Sequence, residues 1–498
     1  MKTLHQQSVL YYFSILLFIV TTIVIVNGDD EEDYMFELLK TLTTTPTGWS
    51  NNTHYCKWNG IVCRSSRVVA IKLPSSSLSG SLPPYINSLN NLTHTDLHNN
   101  SLIGPLPYLT ELYALETVLL GHNNFTSIID LSFEMLPNLL TLNLSNNLNL
   151  SPWVLPIYLK HSSLLQTLDL EATNIIGSLP SEMFNWFPNL NTVFLSHNNI
   201  TGTLPPSLGK SGVKYLRFND QGAWNGDDVG TIDVISSMRF LSQAWLHNNL
   251  FSGQIPNMSN CTYLFDLQLH SNQLTGLVPH SLLALSSLKN ISLDDNYLQG
   301  PLPVFHKGVK ATWEGNEFCR NDSGPCDSQV TIFLEIIAAF GYPDFLTSKE
   351  SNPCIKRRIS YTGVFITCER GKIVSISLEN MQLSGTISPA FSNLSNLVNL
   401  TLANNNLMGL IPYSLTTLPQ LRLLDVSNNN LCGQLPRFPS KVNLTTRGNA
   451  LLGQNISQTL GGGENETASH HGSPSKTTKL KPFWIADTPV IEIEVEIG

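Results

Sequence analysis

The sequence predicts an α/β solenoid, a right-handed curved superhelix of stacked repeats in two blocks that a disulfide-bearing island separates. Three observations predict it. One apolar pattern recurs every 23–28 residues, the pattern is interrupted over residues 304–370, and most of the eight cysteines fall in close pairs. Charged residues make up only 13% of the chain, which is typical of a folded protein rather than a disordered one.

The repeated unit places leucines and one asparagine at fixed positions. A clear copy occupies residues 92–107 in the register Leu-x-x-Thr-x-Leu-x-x-Asn-x-Leu-x-Gly-x-Leu-Pro. The asparagine position recurs at Asn123, Asn147, Asn198, Asn249, Asn272, Asn296, Asn405 and Asn429, and weaker copies have Ser76, Thr173, Gln221 and Met381 there. We count ten copies in residues 68–303 and three in 371–450, which identifies leucine-rich repeats.

Each part of the unit has a physical reason. The leucines of a short strand point into a core that no single coil can close, so neighbouring coils must stack. The residues between them point outward on the concave side. The asparagine amide can satisfy backbone groups that the following turn leaves unpaired. Gly and Pro then suit the tight return segment, where φ is unusual or an N–H is not needed.

The chain begins with a predicted signal peptide over residues 1–28. An apolar stretch from Val9 to Val26 precedes small residues, and cleavage is expected after Gly28. An uncleaved anchor is the alternative, because the stretch is long for a signal peptide. No later apolar run reaches the roughly 18–20 residues of a membrane helix, so we expect no membrane span in the mature chain and a secreted or cell-surface location.

Glycosylation sequons agree with that location. The sequence has sixteen Asn-x-Ser/Thr motifs, although a solenoid rich in Asn, Ser and Thr produces some by chance. The candidates singled out are Asn91, Asn124, Asn199, Asn260, Asn321, Asn399, Asn443 and Asn455.

Cysteine pairs mark the predicted caps. Residues 29–67 are expected to form an N-terminal cap with a helix near residues 31–42 and a Cys56–Cys63 disulfide. Residues 304–370 repeat its order of helix, cysteine, aromatic residue, glycine and cysteine, so we interpret them as an island that ends the first block and caps the second. The expected island disulfides are Cys319–Cys326 and Cys354–Cys368, although sequence alone does not prove connectivity. Cys261 and Cys432 are expected to be free, and residues 451–498 to form a flexible tail.

This organisation resembles the extracellular part of the plant transmembrane-kinase (TMK) group of leucine-rich-repeat receptor-like kinases. The resemblance covers about residues 30–450 and is most specific at residues 341–343, 352–354, 383–389 and 424–431. It implies a Gly/Ser/Pro-rich linker, a membrane helix and a cytoplasmic Ser/Thr kinase, with auxin-linked growth signalling and co-receptor assembly. It also implies that the extracellular location is the apoplast.

The sequence departs from that family in several places. Residues 461–475 are linker-like. We nevertheless expect neither a membrane helix nor a kinase in this chain, because the sequence after residue 28 contains no long apolar run and no kinase motifs. Tyr361 stands where the family tends to have Trp, and the basic residues 356–358 lengthen the cysteine spacing. These differences leave the detailed surface of the island open.

The residues favour no catalytic chemistry, cofactor or metal. The sequence has no phosphate-binding loop, zinc-protease motif or nucleophile elbow. His98, His247 and His270 share one repeat position, but only the last two lie in neighbouring coils, so we expect exposed polar side chains rather than a metal site. Asp266, Asp294 and Asp295 are expected to form an acidic patch. The net charge of −9 argues against nucleic acid as a partner.

A binding surface is better supported. The concave positions of consecutive coils include aromatic residues and arginine, which are common binding anchors and have no core role there. The predicted partner-binding residues are Phe194, Arg217, Trp245, His247, Gln268 and His270. Ser292 continues the same column, and an irregular insertion over residues 221–229, with Trp224, lies beside it. The alternative is that the aromatic side chains only contact one another or a glycan.

The sequence therefore predicts a receptor-like binding protein that catalyses no reaction itself. Its partner would be an extracellular protein, a peptide or a small molecule, with a co-receptor as a further possibility. The alternative is a secreted cell-wall defence protein that inhibits a hydrolase, although the interrupting island counts against it.

Overall fold

A computed structural model describes residues 30–129, 131–222, 230–343, 346, 353–354, 365–453, 480–485 and 488–493. The predicted signal peptide, Trp224, the basic residues 356–358, Tyr361 and Asn455 lie outside the described residues. The chain forms two compact units. The N-terminal unit comprises Met1–Asp228 and Phe240–Trp245, and the C-terminal unit comprises Val229–Arg239 and Leu246–Gly498.

The N-terminal unit is built on a main sheet of short strands. Its first two strands, Ile61–Arg64 and Arg67–Lys72, are antiparallel, and the later strands add in parallel, one per coil. The later strands are His94–Asp96, Thr117–Leu119, Thr141–Asn143, Thr167–Asp169, Thr192–Phe194, Tyr215–Arg217 and Gln243–Trp245. Smaller parallel sheets on the return segments join Ser79–Ser81, Ser101–Pro105 and Asn124–Ser127, and Ile176–Ser178 with Asn199–Thr201.

The C-terminal unit has two main sheets of the same kind. One contains Asp266–Gln268, Asn290–Ser292 and Lys310–Thr312, and its return segments pair Ser252–Gln254, Gln273–Leu277, Tyr297–Gly300 and Glu317–Phe318. The other contains Phe365–Glu369, Lys372–Ser377, Asn399–Thr401, Leu423–Asp425 and Asn443–Thr445, with return strands Met408–Gly409, Asn430–Gly433 and Leu451–Leu452. Leu480–Ile485 and Thr488–Ile493 form a separate antiparallel pair.

Helical segments are short and lie outside the main sheets. Among the described residues, the α-helices are Asp30–Thr41, His280–Leu283 and Ser328–Ala338. The 3-10 helices in the same part of the chain are Tyr55–Lys57, Ile86–Ser88, Ile157–His161, Met183–Asn185, Pro206–Lys210, Asp233–Ser237, Pro389–Asn393 and Tyr413–Thr417. Both predicted cap helices are therefore present, at residues 30–41 and 328–338.

Buried asparagines connect each coil to the one before it. The Asn123 amide nitrogen donates to the carbonyl oxygen of Leu97 in the preceding coil at 2.9 Å and to Leu120 of its own coil at 3.1 Å. Its amide oxygen accepts from the N–H of Leu102 at 3.0 Å. Gln221 makes the equivalent contacts with Leu195 and Ile200, which explains why a longer amide is tolerated there. We call this repeated arrangement the asparagine ladder.

The two cap helices make equivalent contacts with the strands they cover. Glu31, near the start of the first helix, accepts a hydrogen bond from the N–H of Val68 at 2.8 Å. Gln329, near the start of the island helix Ser328–Ala338, accepts one from the N–H of Ile373 at 3.1 Å. The antiparallel strand pair that follows each helix shifts register at a cysteine, Cys63 in one and Cys368 in the other. The island thus repeats the N-terminal cap in three dimensions.

The structure contains three disulfides, Cys56–Cys63, Cys319–Cys326 and Cys354–Cys368, which are the three pairs that the sequence predicts. Cys261 and Cys432 are free cysteines, as expected. Cys261 is fully buried, and its burial raises the pKa of the thiol to about 11. A thiol in that state has little thiolate at neutral pH and is chemically inert.

Each block ends in a shortened coil that the repeat count misses; the first lies beyond residue 303, and the second lies within the predicted residues 371–450. Lys310–Thr312 adds an eleventh repeat-type strand after residue 303, and Asn316 joins the ladder through Leu293 at 2.8 Å. Asn443–Thr445 adds a fourth strand to the second block, and Asn449 joins the ladder through Val426 at 2.9 Å. The shortened spacing, with Ala311 rather than leucine inside the first strand, hides these coils from the leucine pattern.

The island helix holds the neighbouring coils of the C-terminal unit together. The aromatic ring of Tyr342, just after the helix, lies 2.9 Å from the position of a Cβ built on Gly276 in the first block. The carbonyl oxygen of Ala339 accepts from the N–H of Thr386 in the second block at 3.0 Å. The same carbonyl would overlap a Cβ on Gly385, where φ is +90°. Glycine is therefore required at this junction for its small size and its backbone conformation.

Replacing Asn123 with alanine should destabilise the N-terminal unit by about 1–3 kcal/mol, because it leaves the buried N–H of Leu102 without its acceptor. The Leu97 carbonyl loses one donor but keeps the Asn100 amide at 2.9 Å. Chemical denaturation followed by circular dichroism measures the effect. Asn90→Ala, at an exposed position in a neighbouring turn, is the control and should change stability by less than about 0.5 kcal/mol. Equal stability of the two variants would contradict the role given to the ladder.

Gly385→Ala should destabilise the C-terminal unit more than Gly371→Ala does. Both glycines have positive φ, but a Cβ at Gly371 meets nothing within 4 Å, whereas one at Gly385 overlaps the Ala339 carbonyl. Both variants carry the conformational cost of placing alanine at positive φ. The difference between their free energies of unfolding therefore measures the overlap with the Ala339 carbonyl and should be about 1–3 kcal/mol. Thermal melts of both full-length variants test this, and identical melting temperatures would show that the junction is loose.

Candidate binding face

The strands of the main sheets expose every second side chain on the side opposite the leucine core. In most of the three-residue strands of the main sheets the middle residue is buried, as Val193, Leu216 and Ala244 are, and the flanking residues point outward. We call this side the open face of each main sheet. The six residues predicted for partner binding lie on it or directly after its strands.

Phe194, Arg217 and Trp245 occupy equivalent positions on three neighbouring strands of the N-terminal unit. The parallel register aligns Phe194 with Arg217 and Arg217 with Trp245. The guanidinium carbon of Arg217 lies 4.2 Å from the centre of the Phe194 ring and 4.1 Å from that of Trp245. A cation between two aromatic rings at these distances is held by cation–π attraction on both sides. We call this arrangement the arginine sandwich.

Arg217 supplies the positive charge of the arginine sandwich. Arg217 forms no ion pair with the described residues, and its Nε is buried without a hydrogen-bond partner. Asp169 is in register with Phe194 on the other side and accepts a hydrogen bond from the Asn143 amide at 2.8 Å. Burial raises the pKa of Asp169, against the opposing effects of hydrogen bonds and of the positive charge of Arg217. The sandwich is therefore a fixed cation on an accessible surface.

The C-terminal unit has its own group of predicted residues. The imidazole rings of His247 and His270 stack with centres 4.3 Å apart and an angle of 21° between planes. Gln268 donates from its amide to Asp266 at 2.6 Å and is aligned with Ser292 on the next strand. The two histidines therefore contact each other, and Gln268 has a hydrogen-bond partner within the chain.

Two other histidines, His98 and His197, lie beside acidic residues. Nδ1 of His98 lies 2.6 Å from a carboxylate oxygen of Asp96, and Nε2 of His197 lies 3.7 Å from Asp220. Among the residues that the structure describes, no group of three His, Cys, Asp or Glu side chains could hold a metal ion. His98 and His197 thus contact acidic residues near their own strands, whereas His247 and His270 contact each other.

The predicted acidic patch is partly a hydrogen-bonded structure. Asp294 accepts from the hydroxyls of Ser292 and Thr312 and from the N–H of Glu314 in the shortened coil. Burial alone would raise the pKa of Asp294, but these hydrogen bonds together hold it below the usual carboxyl value. Asp266 is buried rather than exposed, so it contributes little to a surface charge.

Most of the sequon candidates are accessible. Asn91, Asn124, Asn260, Asn321 and Asn443 are exposed, whereas Asn199 and Asn399 are half-buried. Asn399 and Asn443 begin strands of the second main sheet of the C-terminal unit, so glycans there would cover part of its open face. Their occupancy stays a prediction.

An apolar surface in the N-terminal unit was not predicted. Leu131, Val154, Ile157 and Tyr158 are exposed beside the half-buried Trp153, on return segments rather than on the main sheet. These coils lack the Gly-x-Leu/Ile-Pro segment of the other copies, and that loss is the signal by which the sequence marks an irregular surface.

Comparison with known proteins agrees with the fold. The family model "Leucine rich repeat N-terminal domain" matches residues 29–64, and "Leucine Rich Repeat" matches residues 189–211, 396–418 and 420–442. Receptor-like kinase TMK4 of Arabidopsis thaliana is 42% identical over 425 residues, which cover 84% of this chain and 45% of that protein. The chain is a leucine-rich-repeat protein related to the TMK group of plant receptor-like kinases.

Two further relatives support this relationship. Receptor-like kinase TMK2 of Arabidopsis thaliana is 36% identical, with 70% of this chain and 39% of that protein covered. Receptor protein kinase WSS1 of Oryza sativa subsp. japonica is also 36% identical, with 70% and 38% covered. The chain thus spans less than half the length of these curated relatives.

Among solved structures, the ectodomain of GASSHO1/SCHENGEN3 from Arabidopsis thaliana, in complex with CASPARIAN STRIP INTEGRITY FACTOR 2, is 25% identical. It covers 78% of this chain and 45% of its own, with a TM-score of 0.48. Within the described part of this chain, none of the helices is both long and apolar enough to cross a membrane.

Stability should depend on Asp294 in a pH-dependent way. Its pKa is lower in the folded chain than in the unfolded one, so the carboxylate stabilises the fold above its unfolded pKa, and that contribution is lost as pH falls through the folded value. Asp294→Asn should therefore lower the melting temperature at neutral pH, and the difference from wild type should shrink below about pH 4. Glu369→Gln, at an exposed strand position, is the control. A difference independent of pH would contradict this account.

Proposed function

We propose that this chain is an extracellular receptor-like protein that binds a partner through the open face of its main sheets. The observation that carries the proposal is the arginine sandwich, in which three side chains point away from the leucine core and contact one another on an accessible surface. Aromatic residues and arginine are the residue types that most often dominate binding energy at protein interfaces. A surface of this kind is also partly preorganised, which reduces the entropy lost when a partner binds.

The relationship to the TMK group supports a role in signalling. Both matching family models describe leucine-rich repeats or their N-terminal cap, regions built for recognition. By this relationship we propose that the chain acts outside the cell, secreted or at the cell surface, in auxin-linked growth signalling. The partner class we propose is an extracellular protein, a peptide or a small molecule, with a co-receptor as a second participant.

Trp245→Ala should weaken capture of the extracellular partner by roughly tenfold or more, because it removes one ring of the sandwich and frees the Arg217 side chain. The full chain, secreted from plant cells, serves as bait for an extracellular pull-down, and the amount of each captured protein is compared between variants. Circular dichroism confirms that both baits are folded.

Tyr413→Ala is the matched control. Tyr413 is 73% exposed, but it lies on the 3-10 helix Tyr413–Thr417 and not on a main sheet. This variant should capture the partner as well as wild type does. If Trp245→Ala captured every partner unchanged, or if Tyr413→Ala lost the same partners, binding would not occur on the open face.

A further inference from the structure

The arginine sandwich restricts how Arg217 can bind anything else. Phe194 and Trp245 lie on the strands to either side, and their ring centres are 4.2 Å and 4.1 Å from the central carbon of the guanidinium. A planar guanidinium donates its hydrogen bonds in its own plane, so contact with aromatic rings does not use its donors. Because Nε is fully buried, the accessible donors are those of Nη1 and Nη2 at the tip of the side chain.

Those donors have no acceptor within the described part of the chain. Arg217 makes no ion pair there, and the nearest acidic side chain in the register, Asp169, is two strands away beyond Phe194. Asp169 is satisfied by its own donors, the Asn143 amide at 2.8 Å and the N–H of Glu171 at 3.3 Å. Asp169 is near enough for its charge to interact with that of Arg217, but the two side chains form no ion pair. A partly buried cation without a direct ion pair is costly, and an incoming anion would offset that cost.

The chemistry of the anion follows from the donor number. Two parallel N–H groups at the tip of one guanidinium match the two oxygens of a carboxylate. The strand positions on either side are aromatic, so no second cation adjoins Arg217 in the sheet to neutralise a doubly charged phosphate. The negative net charge of the chain would also repel a polyanion.

We propose that Arg217 recognises a carboxylate of an extracellular peptide ligand, held end-on by Nη1 and Nη2 while Phe194 and Trp245 hold the guanidinium between their rings. This assignment rests on the proposed function, because it names the ligand chemistry of the same face. The carboxylate is either the C-terminus of the peptide or the side chain of an Asp or Glu within it. Both sources present the same two oxygens to the same donors.

A peptide-binding screen tests the assignment. The full chain is screened against a random peptide library, and the selected peptides are synthesised in three forms: unchanged, with a C-terminal amide, and with Asp and Glu replaced by Asn and Gln. One of the two altered forms should bind wild type roughly tenfold more weakly than the unchanged peptide, which identifies the source of the carboxylate. Isothermal titration calorimetry measures each affinity.

Variants of Arg217 show whether it is the receptor for that carboxylate. In Arg217→Met the acid and amide forms should bind within about twofold of each other, because the charge-assisted donors are gone. Arg217→Lys keeps the charge but loses the planar fork, so it should show reduced discrimination. Arg437→Met removes an exposed arginine outside the strands and should discriminate as wild type does.

The outcomes separate this inference from the proposed function. If wild type selects no carboxylate-bearing peptides, or binds acid and amide forms equally, the carboxylate assignment is overturned. The same holds if Arg217→Met keeps the wild-type discrimination. In each case the proposed function still stands when Trp245→Ala loses the partners captured by wild type. Selected peptides and captured partners that bind Trp245→Ala as they bind wild type would overturn both.

Discussion

The asparagine ladder is the constraint on which the rest of the structure depends. A solenoid coil turns away from its strand before it has made a full set of backbone hydrogen bonds, and the turn is buried. One amide supplies two donors and an acceptor, which Asn272 uses for the carbonyls of Leu246 and Leu269 and for the N–H of Phe251. Each amide therefore satisfies the turn of its own coil and fixes its distance from the previous coil. Leucine burial then adds stability to a geometry already set by hydrogen bonds.

At each end of such an array one neighbouring coil is missing, so another part of the chain must supply its hydrogen-bonding groups. At the two starts, a helix supplies the acceptor that the missing coil would have provided, from Glu31 in one case and Gln329 in the other. At the ends of the two blocks, a shortened coil keeps the ladder asparagine but gives up most of the leucines. The island is thus an end followed by a start, and its helix is packed so closely on the next coil that Gly385 has no space for a side chain.

The sequence was informative where a residue type has one physical role. Leucine spacing, the ladder asparagines and the close cysteine pairs each predict a local geometry, and the structure contains the corresponding strands, hydrogen bonds and disulfides. The sequence is less informative where a residue's role depends on its spacing from the neighbouring coils. The leucine pattern places Lys310–Thr312 in the island, because Ala311 occupies the core position, although Asn316 keeps the ladder contact.

The same distinction applies to the candidate site. Repeat phase placed Phe194, Arg217 and Trp245 at equivalent positions, but it did not show that the guanidinium lies between the two rings, since that depends on side-chain rotamers. Equally, phase separated His98 from His247, but only the structure shows His98 bound to Asp96. Composition and repeat register thus predict which residues lie on the open face, whereas the contacts of the charged side chains on it are seen only in the structure.

The ladder also explains why recognition can be located on the open face without cost to the fold. Because buried amides and leucines determine how coils stack, the outward residues of a strand make no contribution that stacking requires. Asn143, Asp169, Phe194, Arg217 and Trp245 follow one another at a single strand position, and they differ in charge, size and polarity although their strands have the same register. A position with such chemical freedom in an otherwise regular array can be adapted to a ligand. The arginine sandwich occupies that position with a cation that the described residues of the protein leave without an ion pair, and this is the property that a binding site, rather than a stabilising contact, requires.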